Sequence, residues 1–157
     1  NNEWIAKHVQ GLPHDPDCWP YQPYFEAFCN AYREECGSDV SNGTIHRHCV
    51  RELRKERFRT DASDPGRLPC FARRERVKKP KASAAERKVL RELYWEQRLS
   101  RDQLAYTSCF RKVLRLFCER TSKEWSSAEV WLLIMDEGKS MRLSRKAERG
   151  NTRGTLV

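Results

Sequence analysis

The sequence has no apolar run long enough to cross a bilayer. A spanning helix needs roughly 18 or more apolar residues, and the longest apolar stretch is VWLLIM at residues 130–135. Common catalytic motifs are also missing, since there is no GxSxG, no P-loop and no HExxH. No segment of useful length alternates as a β-strand does. These absences predict an all-α, non-enzymatic protein without a transmembrane segment or a cofactor.

Cysteine is too sparse for a small secreted disulfide scaffold. The chain has seven cysteines among 157 residues, and the odd number leaves at least one thiol free or paired with another chain. This composition favours a reducing compartment, or one with selective oxidation. The chain begins NNEW without a signal-like segment, so we expect that a targeting segment has been removed or that the sequence is a fragment.

Positive charge is abundant. The chain carries 31 Lys and Arg against 22 Asp and Glu, a formal net charge of +9. Arginine outnumbers lysine, and its fork suits bidentate contact with phosphate. A basic surface predicts a polyanionic partner, with a merely solvated surface as the alternative. The cationic residues predicted to bind the polyanion are Arg59, Arg73, Arg74, Arg76, Lys78, Lys79, Arg111, Lys112, Arg115, Arg142, Arg145 and Lys146.

The chain is predicted to consist of five segments. Residues 1–20 contain three prolines and are interpreted as an extended arm. Residues 21–59 are predicted to form a helical hairpin, and residues 60–83 a Pro- and Arg-rich linker. Residues 84–138 are predicted to form a three-helix unit, and residues 139–157 a basic tail.

Helical periodicity predicts the hairpin. Apolar residues recur at helical spacing before Gly37, which is placed to end the first helix. A second helix is predicted from about Thr44 to Phe58. The apolar stripes of the two helices are Phe25, Phe28, Cys29, Tyr32 and Cys36, and then Ile45, Cys49 and Leu53.

Three capping boxes predict the helices of the C-terminal unit. A capping box is a Ser or Thr followed three residues later by Glu or Gln, and it marks a helix start. The three boxes open at Ser83, Ser100 and Ser126. The second is predicted to start a continuous helix over residues 101–120. The acidic pair Asp136–Glu137 is predicted to be an ordinary helix-end or surface charge.

The stretch FEAFCNAYREECGSDVSNGTIHRHC concentrates cysteine and histidine at residues 25–49. An antiparallel hairpin turning near residues 39–41 brings Cys29 opposite Cys49, which permits a disulfide, and Cys18 and Cys70 are a second candidate pair. A further interpretation is that the thiols are buried core residues. A third interpretation is a zinc site, although the stretch lacks the tight C-x2-C knuckle of structural zinc sites. Its candidate ligands are Cys29, Cys36, His46 and Cys49.

A hairpin with cysteines on facing helices, in a basic chain without a secretory signal, resembles the coiled-coil–helix–coiled-coil–helix (CHCH) proteins of mitochondria. The resemblance covers residues 18–70, where the intervals are C-x10-C, C-x6-C and C-x12-C rather than the family's twin C-x9-C. It implies a mitochondrial location, with oxidation in the intermembrane space or recruitment into respiratory complexes and mitochondrial ribosomes.

These features together predict a non-enzymatic accessory or structural subunit of a large assembly, whose arms become ordered on neighbouring subunits. The expected partners are other protein subunits, together with rRNA in a mitochondrial ribosome or acidic lipid in a respiratory or ATP synthase complex. The alternative is a free-standing DNA- or RNA-binding protein of helix-turn-helix type, using residues 84–98 and 101–120. Because no glycine turn interrupts YTSCFRK, the continuous helix is the simpler prediction.

Overall fold

The computed structural model describes residues 1–13, 15–63 and 77–138, and for residues 56–63 it describes the backbone alone. All regular structure in these ranges is helical, with seven α-helices, two short 3-10 helices and no strand. The all-α prediction is therefore confirmed. No helix in these ranges is both long and apolar enough to span a membrane.

The chain divides into two compact units, Asn1–Lys78 and Lys79–Val157. The boundary falls inside the segment predicted as a linker. Each unit has its own set of buried apolar side chains, and each is described by itself below.

The first unit contains three α-helices. They are α1 (Asn2–His8), α2 (Pro23–Cys36) and α3 (Asn42–Ser63). Proline at the start of α2 suits the first helical turn, where its missing N–H has no partner to lose. Gly37 ends α2 in the left-handed region at φ 59°, as predicted from its position. Helix α3 continues beyond the predicted end at Phe58.

The predicted extended arm over residues 1–20 is wrong. Helix α1 is followed by 3-10 helices at Val9–Gly11 and Pro16–Cys18, and α1 packs against α3. Ile5 and Trp19 are fully buried, and Trp19 Nε1 donates to the Pro13 carbonyl over 2.6 Å. The prolines open or follow short helical turns, because a fixed φ near −65° is as compatible with a first helical turn as with extended chain.

The second unit contains four α-helices. They are α4 (Ala84–Glu96), α5 (Arg101–Leu104), α6 (Ser108–Thr121) and α7, which covers residues 127–138. All three helix starts predicted from capping boxes are confirmed. At Ser83 and Ser126 the bonds are reciprocal, since each serine Oγ accepts from a backbone N–H three residues on and each serine N–H donates to the Glu carboxylate there.

The predicted continuous helix over residues 101–120 is wrong, because the chain turns at residues 105–107. Tyr106 takes a left-handed conformation at φ 61°, which glycine usually supplies. Thr107 then caps α6, since its Oγ1 accepts from the Phe110 N–H (3.3 Å) and donates to the Leu104 carbonyl (2.6 Å). A threonine hydroxyl can bond to nearby backbone groups, so Thr107 can cap a new helix instead of continuing the previous one.

Helix α7 forms the apolar centre of the second unit. Residues 130–135 are all buried, so this helix is covered on every side rather than along one stripe. Trp131 meets Phe110 of α6 edge to face, with ring centroids 5.9 Å apart. The longest apolar run of the sequence is thus a core helix.

Candidate nucleic-acid interface

The outer face of α6 is cationic. Phe110, Val113 and Phe117 are buried, and at about 100° per residue the opposite side of the helix carries Arg111, Lys112 and Arg115, all exposed. We call these three residues the α6 face. They are among the cations predicted from the sequence, and the structure places them on one surface.

The cations of the α6 face have few partners within the protein. The side chains of Arg111 and Lys112 make no hydrogen bond or ion pair with another described residue. Arg115 Nη1 lies 3.8 Å from Glu119 Oε1, and both side chains are more than half exposed. Exposed pairs of this kind are weak and easily exchanged. The face can therefore accept an external anion without breaking a buried interaction.

The position of these cations does not serve helix stability. The first turn of α6 has no acidic residue, and Arg111 and Lys112 follow it directly. Positive charge near a helix N-terminus opposes the helix dipole, whereas an anion bound there would be favoured by it. The arrangement is therefore better matched to an anionic partner than to an isolated helix.

Lys79, another predicted binding residue, has a structural role instead. Its Nζ lies 2.6 Å from Asp136 Oδ1, and Arg87 Nη1 lies 2.9 Å from Asp136 Oδ2. Hydrogen bonds from Lys79 and Arg87 lower the pKa of Asp136, although partial burial opposes them. The bond to Asp136 in turn raises the pKa of Arg87. Lys78 is exposed.

Glu137 lies at a helix end, which is one of the two predicted alternatives, but it is buried and is therefore not a surface charge. It is 5% exposed, and its two oxygens accept from Arg87 Nη1 (3.3 Å) and Arg91 Nε (3.0 Å). A carboxylate at the C-terminal end of α7 opposes that helix dipole. The two arginines on α4 supply the compensating charge.

The remaining predicted cations lie outside the residues whose side chains the structure describes. They are Arg59, Arg73, Arg74, Arg76, Arg142, Arg145 and Lys146.

The predicted disulfide between Cys29 and Cys49 is absent. Both are buried free thiols. Burial raises the pKa of Cys29 and of Cys49 to about 12, and the Glu26 carboxylate adds to the shift of Cys29 while Cys29 adds to that of Cys49. Helix α3 packs against both α1 and α2, and the thiols on α2 and α3 stay unjoined. Cys70, the fourth disulfide candidate, lies outside the described residues.

The candidate zinc ligands do not converge. In the described part of the chain no three His, Cys, Asp or Glu side chains come together as a metal site. His46 Nε2 lies 2.7 Å from the Pro16 carbonyl, and the ring stands edge-on to Trp19 and Phe25. His46 thus packs against buried aromatic rings.

A second cationic face was missed from the sequence. Ile45, Cys49 and Leu53 of α3 are buried, and the opposite side of the helix exposes Arg47, Arg51, Arg54 and Lys55, which we call the α3 face. These cations recur at i, i+4, i+7 and i+8, so helical periodicity applied to charge would have found them.

The comparisons with known proteins give no relative. No family model matches the chain, and no curated protein and no solved structure is detectably similar to it.

Proposed function

We propose that the protein is a non-enzymatic RNA-binding subunit of a larger assembly, and that the α6 face contacts RNA phosphates. The observation that carries the proposal is the exposure of Arg111 and Lys112 without an acidic partner, directly opposite a buried apolar stripe. Contacts of this kind position a protein on a nucleic acid without reading its bases.

A second candidate is sequence-specific binding to duplex DNA by a helix-turn-helix. The turn at residues 105–107 favours this candidate, because it separates α5 from α6. In a helix-turn-helix such a turn precedes the recognition helix, which here would be α6. Helix α5 has only four residues, which is short for the supporting helix of this motif. RNA therefore remains the leading partner.

The finer architecture and the cellular setting belong to the same proposal. We infer an N-terminal cysteine-bearing hairpin of α2 and α3 and a C-terminal helical unit joined by a basic linker. We also infer a mitochondrial location, in line with the CHCH resemblance. The net charge of +9 supports a ribosome over a respiratory or ATP synthase complex, because RNA requires more neutralisation than a lipid surface. Fractionation of cells and co-sedimentation with ribosomal particles test the setting.

The binding site is tested by neutralising the α6 face. The variant Arg111→Gln/Lys112→Gln/Arg115→Gln should bind a structured RNA hairpin more weakly. The slope of log K against log salt should become shallower by about 3, or about one unit for each lost phosphate contact. Glutamine has a helix propensity close to that of lysine and arginine, so α6 should persist.

The matched control removes the same charge from scattered exposed sites, as Lys7→Gln/Lys81→Gln/Arg98→Gln. It should keep most of the slope. Equal slopes for the α6 variant and the control would disprove a localised site. Binding to one duplex DNA sequence that is at least a hundred times tighter than binding to the hairpin would favour the helix-turn-helix candidate instead.

A further inference from the structure

We propose that the α3 face is a second phosphate-binding surface, in the first unit, for the same RNA. The identity of the partner rests on the proposed function, whereas the site itself rests on α3 alone.

The α3 face is a continuous cationic array. Arg47 to Lys55 covers about 12 Å along the helix axis at about 1.5 Å per residue. Phosphates of one duplex strand recur every ~3.4 Å along the axis, so the array can reach more than one of them. All four side chains are exposed, on the side opposite the buried stripe of Ile45, Cys49 and Leu53.

The arginines of this face retain most of their donors. The side chains of Arg51 and Arg54 make no hydrogen bond or ion pair with a described residue. Arg47 uses one Nη2 donor on Thr44 Oγ1, at 3.2 Å, out of the five that a guanidinium offers. Lys55 is paired with Glu52 at 2.8 Å and contributes less. Three arginines are thus available for bidentate contact with phosphate.

Charge is unevenly distributed along the first unit. Its residues 1–78 carry thirteen Lys and Arg against twelve Asp and Glu, but residues 1–41 carry two Lys and Arg against seven Asp and Glu. Residues 42–55 carry four Lys and Arg against the single acid Glu52. A solvated surface does not require such separation, and the acidic residues before α3 would direct a polyanion towards the α3 face.

RNA fits this face better than a lipid surface does. An amphipathic helix that binds a membrane inserts an apolar face into the lipid. The apolar stripe of α3 is already buried in the core of its own unit. Among the described residues of the first unit no large apolar side chain is exposed. The available contact is therefore ionic, and arginine favours the phosphate diester geometry of a nucleic acid.

The test is the variant Arg47→Gln/Arg51→Gln/Arg54→Gln, compared with the scattered control Lys7→Gln/Lys81→Gln/Arg98→Gln. With a long structured RNA, the slope of log K against log salt should be shallower by about 3 for the α3 variant. The control should keep most of the slope of the unaltered chain. A charge-conserving variant, Arg47→Lys/Arg51→Lys/Arg54→Lys, should retain the slope. Circular dichroism checks that α3 is still helical.

A footprinting experiment on the unaltered protein avoids any effect that the substitutions have on folding. Bound RNA should protect Arg47, Arg51 and Arg54 from modification by phenylglyoxal, read by peptide mass spectrometry, while Arg98 stays reactive. Modification at an undiminished rate would overturn the proposal. A variant that binds RNA normally but no longer binds phosphatidylserine vesicles would also overturn it, in favour of lipid.

The two proposals fail separately. If the α6 variant binds as the unaltered chain does and the α3 variant does not, the α6 site is wrong and the α3 surface stands. If only the α6 variant loses affinity, the α3 surface is wrong. If the unaltered chain binds no RNA at physiological salt, both are wrong.

Discussion

Burial determines the chemistry of the cysteines at the residue scale. Cys29 and Cys49 are completely buried and their pKa values are raised to about 12, whereas Cys36 is half-buried. Only the thiolate reacts with alkylating reagents. We expect iodoacetamide at pH 8 to modify Cys36 at least ten times faster than either buried thiol, as measured by peptide mass spectrometry over time.

Denaturation provides the control for the thiols, because in urea all of the cysteines should react at similar rates. Since the pKa values are raised, the neutral thiol is the form that folding favours, and this contribution is lost as pH rises from about 9 to about 12. Rapid modification of Cys29 in the native protein at pH 8, or a mass two units lower without reductant that maps to Cys29–Cys49, would contradict the structure.

Glu137 is a buried carboxylate whose charge is compensated by two arginines. The change Glu137→Gln preserves the shape of the side chain but removes the charge that Arg87 and Arg91 contact. We expect the free energy of opening of the second unit to fall by about 1–3 kcal/mol, as measured by native-state hydrogen exchange of peptides from residues 84–138. The exposed Glu92 on α4 is the matched control, and Glu92→Gln should change it by less than about 0.5 kcal/mol.

At the element scale, the sequence predicts helix starts better than helix continuity. Ser83, Ser100 and Ser126 each begin a helix where their capping boxes indicate, because a cap is made by residues only three positions apart. The turn at Tyr106 is not predictable in this way. Its left-handed φ is unfavourable locally, and Leu104 and Phe110 on either side of the turn are fully buried, so the turn depends on tertiary packing that local sequence does not show.

Thr107 is the residue on which the separation of α5 from α6 depends. Thr107→Ala removes the hydroxyl that caps α6, and we expect a loss of about 1 kcal/mol in the free energy of unfolding. Thr107→Ser retains the hydroxyl and should lose much less. Hydrogen exchange at the Phe110 amide, which donates to this oxygen, reports on the cap directly. Equal exchange at Phe110 in both variants would show that the cap does not hold the turn.

Helix α1 shows a second limit of sequence reasoning. Ile5 and Val9 lie four residues apart and are both buried against the rest of the first unit, which is a helical signal. A seven-residue helix is marginal alone, and three prolines follow it closely, so local preference favours an arm. The long-range packing of α1 on α3 decides the outcome.

At the scale of the whole molecule, charge and apolar burial are both divided between the two units. Residues 79–157 carry eighteen Lys and Arg against ten Asp and Glu, whereas residues 1–78 carry thirteen against twelve. In the part of the chain that the structure describes, each unit nevertheless exposes a cationic helix face. The net charge does not show where on the surface the charged residues lie. Composition therefore predicted a polyanionic partner but not the residues of the α3 face.

The separate cores predict separate stabilities. Phe25 in the first unit and Leu133 in the second are both fully buried. Phe25→Ala should lower the free energy of opening of residues 1–55 by about 3–5 kcal/mol, and Leu133→Ala that of residues 84–138 by about 2–5 kcal/mol, through lost burial and the cavity left behind. Because each side chain belongs to one core, each change should leave the other unit's hydrogen exchange within about 0.5 kcal/mol of the unaltered chain. The two variants serve as controls for each other. Parallel losses in both units from either change would mean that the chain unfolds as a single cooperative domain.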